Sequence, residues 1–152
     1  MAAKAPAPAA AGPEEAVAAV PGGRRAFLGN GIEVLLLPDE ASRVATSIVV
    51  LRSGAAWESA RTCGASHFLE HMLFNGTETR TQEQLYAETD FYGAFNNATT
   101  RRTHVAFMMT LPRRFLGRGL ALQADMLLRS TLPEEKFEKE RGIILEELVK
   151  DR

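Results

Sequence analysis

At 152 residues, with 45% hydrophobic and 24% charged, the chain has the composition of an ordinary globular domain and is long enough to bury a core. A formal net charge of −1 offers no bulk field for nucleic acid or an anionic membrane, and no run approaches the roughly 18 apolar residues of a membrane span. The single cysteine, Cys63, excludes an internal disulfide and leaves the redox compartment open.

The chain opens on an Ala- and Pro-rich tract. Residues 1–22 read as a disordered leader: prolines interrupt any signal-peptide core, and Glu14 and Glu15, in a tract without arginine, argue against a mitochondrial presequence. The compartment stays open. Residues 23–152 read as one domain. Two apolar runs, 24–28 and 32–37, flank Gly29-Asn30-Gly31, a hairpin signal. Residues 44–51 are β-branched and predict a central strand that stops at Ser53-Gly54, before a loop over 55–61.

Residues 62–75 predict a helix closed by Gly76 in the usual C-terminal position. At its centre is His67-Phe68-Leu69-Glu70-His71. Two of the three histidines thus stand one turn apart on one face, beside a carboxylate, in the H-x-x-E-H order. That spacing suits one metal ion bridged by two imidazoles, with an acid placed to handle a proton. Ala65, Phe68, Leu69, Met72 and Leu73 cover the other sides, and a helix apolar on nearly every side is a buried one. The plainer reading is two core histidines bonded to their neighbours. The full pattern on an otherwise apolar helix favours a metal, because buried charges need partners. Cys63 lies one turn before His67, and packing as a small hydrophobe is preferred there over a ligand role.

Thr81-Gln82-Glu83-Gln84 has capping-box spacing and starts a second helix, which Gly93 breaks. Residues 94–100 and 103–111 predict two more strands. Residues 113–130 predict a helix, with leucines at 116, 120, 127 and 128 near helical spacing, and Pro133 introduces a last helix over 134–152. There is no internal repeat. The succession of three strands, two helices, two strands and two helices predicts an α+β fold, an antiparallel sheet packed against helices.

Catalytic zinc usually takes three protein ligands, so a third must come from elsewhere. On the last helix Glu140 and Glu147 share one stripe about 10 Å apart. Phe137 and Ile144 flank that stripe on one side and Ile143 on the other, while Glu146 points away. A charge run on a helix is usually a solvated face, but the apolar flanks favour a semi-buried functional pair.

The H-x-x-E-H stretch continues as Met72-Leu73-Phe74-Asn75-Gly76-Thr77, and the last helix carries Glu140-Arg141-Gly142-Ile143-Ile144-Leu145-Glu146-Glu147. Together these resemble the pitrilysin/insulysin/mitochondrial-processing-peptidase family of inverzincin metallopeptidases, from about residue 22 to the end. The resemblance implies the N-terminal part of a metallopeptidase α/β-roll subdomain, truncated after the last helix. It implies zinc held by His67, His71 and Glu147. Two further carboxylates complete the implied catalytic set: Glu70 takes a proton from water, and Glu140 supports the site by orienting a ligand histidine. Residues 93–100 look like the family's segment beside the site, with Asn97-Ala98 matching its Asn-Ala pair. Asn96, Asn97 and Ala98 are therefore implied substrate contacts, at a sheet edge where a peptide strand adds. After that pair the family commonly carries an acidic residue, a threonine and an aromatic hydroxyl. An ungapped reading of this chain has Thr103, Val105 and Phe107 there.

The implied function is a zinc metalloendopeptidase acting on peptides or small proteins. Family members have two subdomains in a catalytic half and a second half that closes over the substrate. The implied partners are thus a peptide substrate and a second peptidase half or homologous partner chain, and the isolated chain is expected to be inactive. Two other classes compete: a metal-binding fragment that needs a partner chain to cleave, and a purely structural subunit. The intact metal motif weighs against the structural subunit.

Overall fold

The computed structural model describes residues 15–17 and 20–150. The chain divides into two units, residues 1–42 and 43–152. Its class is the α+β one expected, with two three-stranded antiparallel sheets and four α-helices among the described residues.

The first unit is a small sheet in the order β1 (Glu15–Ala16), β2 (Arg24–Phe27), β3 (Glu33–Leu36). The expected hairpin is present: Leu28 N donates to Ile32 O at 2.8 Å, and Asn30 Oδ1 accepts from Ile32 N at 3.2 Å. Gly31 turns at φ +84°, which suits a residue with no Cβ to clash. Residues 1–14 and 18–19 of the expected leader lie outside the described residues. Glu15 and Ala16, however, pair with Arg25 and Arg24. The sheet therefore begins inside the stretch read as leader, because the edge of β2 offers backbone groups that a short strand satisfies.

The second unit runs β4 (Val44–Leu51), α1 (Ala65–Met72), α2 (Gln82–Phe91), β5 (Phe95–Thr100), β6 (Val105–Pro112), α3 (Leu116–Leu128), α4 (Glu134–Lys150). Its strands pair antiparallel in the order β4-β6-β5, with Met108 opposite Ile48 on one side and Asn97 on the other. Residues 44–51 are thus an edge strand and not the central one expected. β-branched composition reports fit to a pleated surface, not rank within a sheet. Val44, Ile48 and Val50 are exposed, whereas Val105, Phe107, Met109 and Leu111 of β6 are buried in strict alternation.

Under β6, Met109 and Leu111 join Leu85 of α2 and Leu122 and Met126 of α3 in one cluster, while Leu73, Val105 and Phe107 form a second. α3 presents a different face from the one its leucines suggest. Gly119, Leu122, Gln123 and Met126 are buried, and Leu120 and Leu128 are exposed. Gly119 permits the close approach: a Cβ there would come within 2.7 Å of Leu111 Cδ1. Gln123 donates to Phe107 O at 3.0 Å and accepts from Ser47 Oγ at 2.7 Å, so its burial leaves no polar group unpaired. Counting leucines overlooks a face built on a glycine and an amide.

α1 ends at Met72, three residues short of the expected helix, and Gly76 (φ +130°) bridges to Thr81 instead of capping it. Nor is α1 buried all round. Met72 and Leu73 face the core, but Ala65 is exposed and Leu69 is 40% exposed.

Asp125 of α3, 6% exposed, ties down the turn after α1. Its Oδ2 accepts from Thr77 Oγ1 at 2.7 Å, Thr79 Oγ1 at 2.9 Å and Arg80 Nη1 at 2.7 Å, and Arg80 also pairs with Glu88 of α2 at 2.8 Å. Burial pushes the Asp125 carboxyl up, but the bonds from Thr77, Arg80 and Thr79 and the Arg80 charge outweigh it and hold the group below its ordinary value. A carboxyl depressed in the folded chain stabilises it above the ordinary value of 3.8, and that contribution is lost as pH falls through the folded value. Asp125→Ala is expected to lower the unfolding free energy at neutral pH by about 1–3 kcal/mol, since the buried Thr77 hydroxyl loses its acceptor while Arg80 keeps Glu88. Urea melts of the two chains should show that gap closing as the solution is acidified below about pH 4.

Candidate metal centre

α1 starts at Gly64, a left-handed residue with no side chain to cap the helix. Glu58 caps it from outside: Oε2 accepts from Gly64 N at 2.7 Å and Oε1 from Ser66 N at 2.8 Å. The Ser66 amide and hydroxyl, then the Gly64 amide, hold this carboxyl below its ordinary value. A negative charge there also suits the helix dipole. Ser66 Oγ in turn accepts from Gly54 N at 2.9 Å and bonds Ser53 Oγ at 2.9 Å, so the start of α1 is pinned to the loop after β4.

α4 packs against α1, with Phe137 on Phe68 at 4.4 Å between ring centroids. This brings two helices far apart in sequence to one point. His67 Nε2 and His71 Nε2 are 3.2 Å apart, and Glu147 Oε2 is 3.4 Å from the first and 3.6 Å from the second. Tetrahedral zinc with bonds of about 2.0–2.1 Å sets its ligand atoms about 3.3–3.4 Å from one another. The triangle has that size, and two imidazoles with one carboxylate are a donor set of catalytic zinc. These residues fit a zinc ion.

His71 is held from behind by Glu140, whose Oε2 lies 3.1 Å from Nδ1. A carboxylate only accepts, so Nδ1 is the donor to Glu140, and in a neutral ring Nε2 is then the nitrogen with the lone pair, facing His67 and Glu147. Glu140 is buried and Glu147 sits at the mouth, 43% exposed, while Glu146 is exposed, as expected. Glu70 lines the same cleft of about 890 Å³, and its Oε2 accepts from Thr100 Oγ1 of β5.

Asn96, Asn97 and Ala98 all line this cleft. Their side chains, however, do not act together. Asn96 aims its amide at Met126 Sδ, 3.4 Å away, Ala98 packs on the core, and Asn97 is on the exposed side of the strand. What they present jointly is the backbone edge of β5, the last strand of its sheet among the described residues. Val105 and Phe107 are 3% and 2% exposed, so those positions serve the core. Cys63 is exposed and outside the ligand group, which removes both roles weighed for it. His104 has its Nδ1 3.3 Å from Thr103 Oγ1 and is not part of the group either. Sequence reasoning misses Thr100, Glu58 and Asn75. The signals for Asn75 are a polar residue one turn past His71, after the apolar run Met72-Leu73-Phe74, and its place in the stretch that carries the family resemblance.

The family model for insulinase (peptidase family M16) matches residues 33–150. The chain belongs to this family of peptidases. It is 38% identical over 131 residues to mitochondrial-processing peptidase subunit beta of Bos taurus, covering 85% of this chain and 26% of that protein. It is 32% identical over 135 residues to cytochrome b-c1 complex subunit 1, mitochondrial, of Mus musculus, covering 88% and 28% respectively. A solved protease from Helicobacter pylori matches with a TM-score of 0.78 and 25% identity, over 82% of this chain and 30% of that one. The chain thus spans about a quarter of the length of these curated relatives. In this insulinase-family chain the helix that carries His67 and His71 is short, so its cap matters. Glu58→Ala is expected to cost about 1 kcal/mol of stability at neutral pH in urea melts. The difference should fade as pH drops from the ordinary glutamate value of 4.5 through the lowered folded value.

Proposed function

We propose that residues 23–152 are the N-terminal zinc-binding part of a metalloendopeptidase, with His67, His71 and Glu147 as ligands, Glu70 as proton carrier and Glu140 as the support of His71. The observation that carries this reading is the triangle of ligand atoms 3.2, 3.4 and 3.6 Å on a side. Zinc held there supplies Lewis acidity toward a scissile carbonyl and acidifies water. Glu70 does the acid–base work. With Oε2 engaged by Thr100, Oε1 is the atom free to take a proton from the attacking water and return it to the leaving amine. Glu140 keeps the proton on His71 Nδ1. The open edge of β5 at Asn96, Asn97 and Ala98 offers backbone donors and acceptors to an extended peptide or small-protein segment.

One zinc per chain is expected in metal analysis of the purified protein, with strong loss in His67→Ala and Glu147→Gln and retention in Glu146→Gln. Unchanged zinc in Glu147→Gln would reject the ligand assignment. Glu70→Gln should keep the zinc and lower peptide hydrolysis by about 10²–10⁴-fold, because the shape is conserved and the proton acceptor is gone.

A second reading, that the chain cleaves only with a partner, is favoured by one fact: both relatives named above are called subunits. A quenched fluorescent peptide, offered to the chain alone and with a homologous partner chain, separates the cases. Chelator-sensitive, Glu70-dependent turnover is expected only in the second mixture, and turnover by the chain alone removes the partner requirement.

A further inference from the structure

Asn75 stands inside a line of hydrogen bonds that runs from Lys136 through Gln82 and Glu140 to His71. It is 4% exposed. Its Nδ2 donates to Glu140 Oε1 at 3.1 Å and to His71 O at 3.0 Å. Its Oδ1 accepts from Gln82 Nε2 at 2.8 Å, and Gln82 Oε1 accepts from Lys136 Nζ at 3.2 Å. Gln82 is the first residue of α2, placed there by the Thr81 capping box. Lys136 and Glu140 stand one turn apart on α4, so the bonds leave α4, cross α2 and the turn after α1, and return to α4.

The two ends decide the direction of every bond between them. An ammonium only donates and a carboxylate only accepts. Gln82 must therefore give its oxygen to Lys136 and its nitrogen to Asn75. Asn75 must give its oxygen to Gln82 and its nitrogen to Glu140. A flip of either amide would set donor against donor and acceptor against acceptor. One Glu140 oxygen is thus held by Asn75, which leaves the other aimed at His71 Nδ1.

We propose that Asn75 is a positioning residue: its amide donor orients Glu140 so that His71 keeps its proton on Nδ1 and turns Nε2 toward His67 and Glu147. The consequence for metal binding rests on the zinc reading above, whereas the tautomer is a property of the metal-free chain.

Asn75→Asp is nearly isosteric, keeps the acceptor for Gln82 and sets a carboxylate oxygen against Glu140. Glu140→Gln breaks the same contact from the other side. Combined, they restore it with reversed polarity, since the amide at 140 now donates to the carboxylate at 75 while its oxygen still accepts from His71. Two measurements on the full chain test this. In the metal-free protein at mildly alkaline pH, the ring nitrogen NMR shifts of His71 report the tautomer. The Nδ1-protonated form is expected in the parent chain, a mixture in each single variant, and the parent form again in the double variant. Competition with a chromophoric chelator reports zinc affinity. Each single variant should bind about 10-fold more weakly, and the double variant more tightly than either. A parent-like tautomer in Asn75→Asp, or losses that multiply in the double variant, overturns the positioning role. Should Asn75→Asp fail to fold, Asn75→Ala removes the amide donor without setting a charge against Glu140 and should still mix the tautomers; an unmixed His71 there also overturns it. A parent chain that shows the Nδ1 tautomer but binds no zinc rejects the zinc reading alone, and the NMR comparison still decides the role of Asn75.

Discussion

His71 stands where two demands meet. In the proposed zinc site its Nε2 offers a lone pair to the point shared with His67 and Glu147, and in a neutral imidazole that obliges Nδ1 to hold the proton. The buried Glu140 carboxylate answers the second demand, and it tolerates burial because His71 and Asn75 both donate to it. The centre therefore depends on one charge-assisted hydrogen bond between α1 and α4. Without it His71 would be free to put its proton on Nε2 and turn a hydrogen, not a lone pair, toward Glu147.

The rest of the second unit holds those two helices in place. α1 is eight residues long, too short to be stable on its own, and it is secured at both ends by polar groups. Glu58 and Ser66 fasten its start, while Asn75, and Asp125 through Thr77, fasten the turn after it. Apolar packing supplies the platform: β6 is buried in alternation, and Leu73 rests on Val105 and Phe107. The apolar core brings the helices near one another, and the buried polar bonds select one arrangement of their side chains.

The same strand that shapes the cleft also engages its acid. β5 lies at the sheet edge, lines the cleft along 96–100, and ends at Thr100, whose hydroxyl bonds Glu70. Edge backbone and acid are thus coupled through one rigid element. β6, not β4, takes the centre of the sheet, and β5 pairs with it on one side only among the described residues.

Much of this was legible in the sequence where the cause is local. The Gly29-Asn30-Gly31 turn, the Thr81 capping box, the helical spacing of His67 and His71 and the stripe of Glu140 and Glu147 all depend on residues within about two turns of each other. Other features were decided only in three dimensions. β-branched residues at 44–51 make a strand wherever they are placed, and pairing with residues 105–112 decides that it is an edge. The buried side of α3 is set by what Leu111 leaves room for at Gly119, not by where its leucines fall. Asn75 gains a role only because folding brings Glu140, 65 residues away, within 3.1 Å. The sequence by itself determined the elements and the residue types of the site, because backbone propensity and helical spacing are near-neighbour effects. The tertiary structure decided sheet order, buried faces and the orientation of His71, because those arise from polar and packing contacts between segments that no local pattern relates.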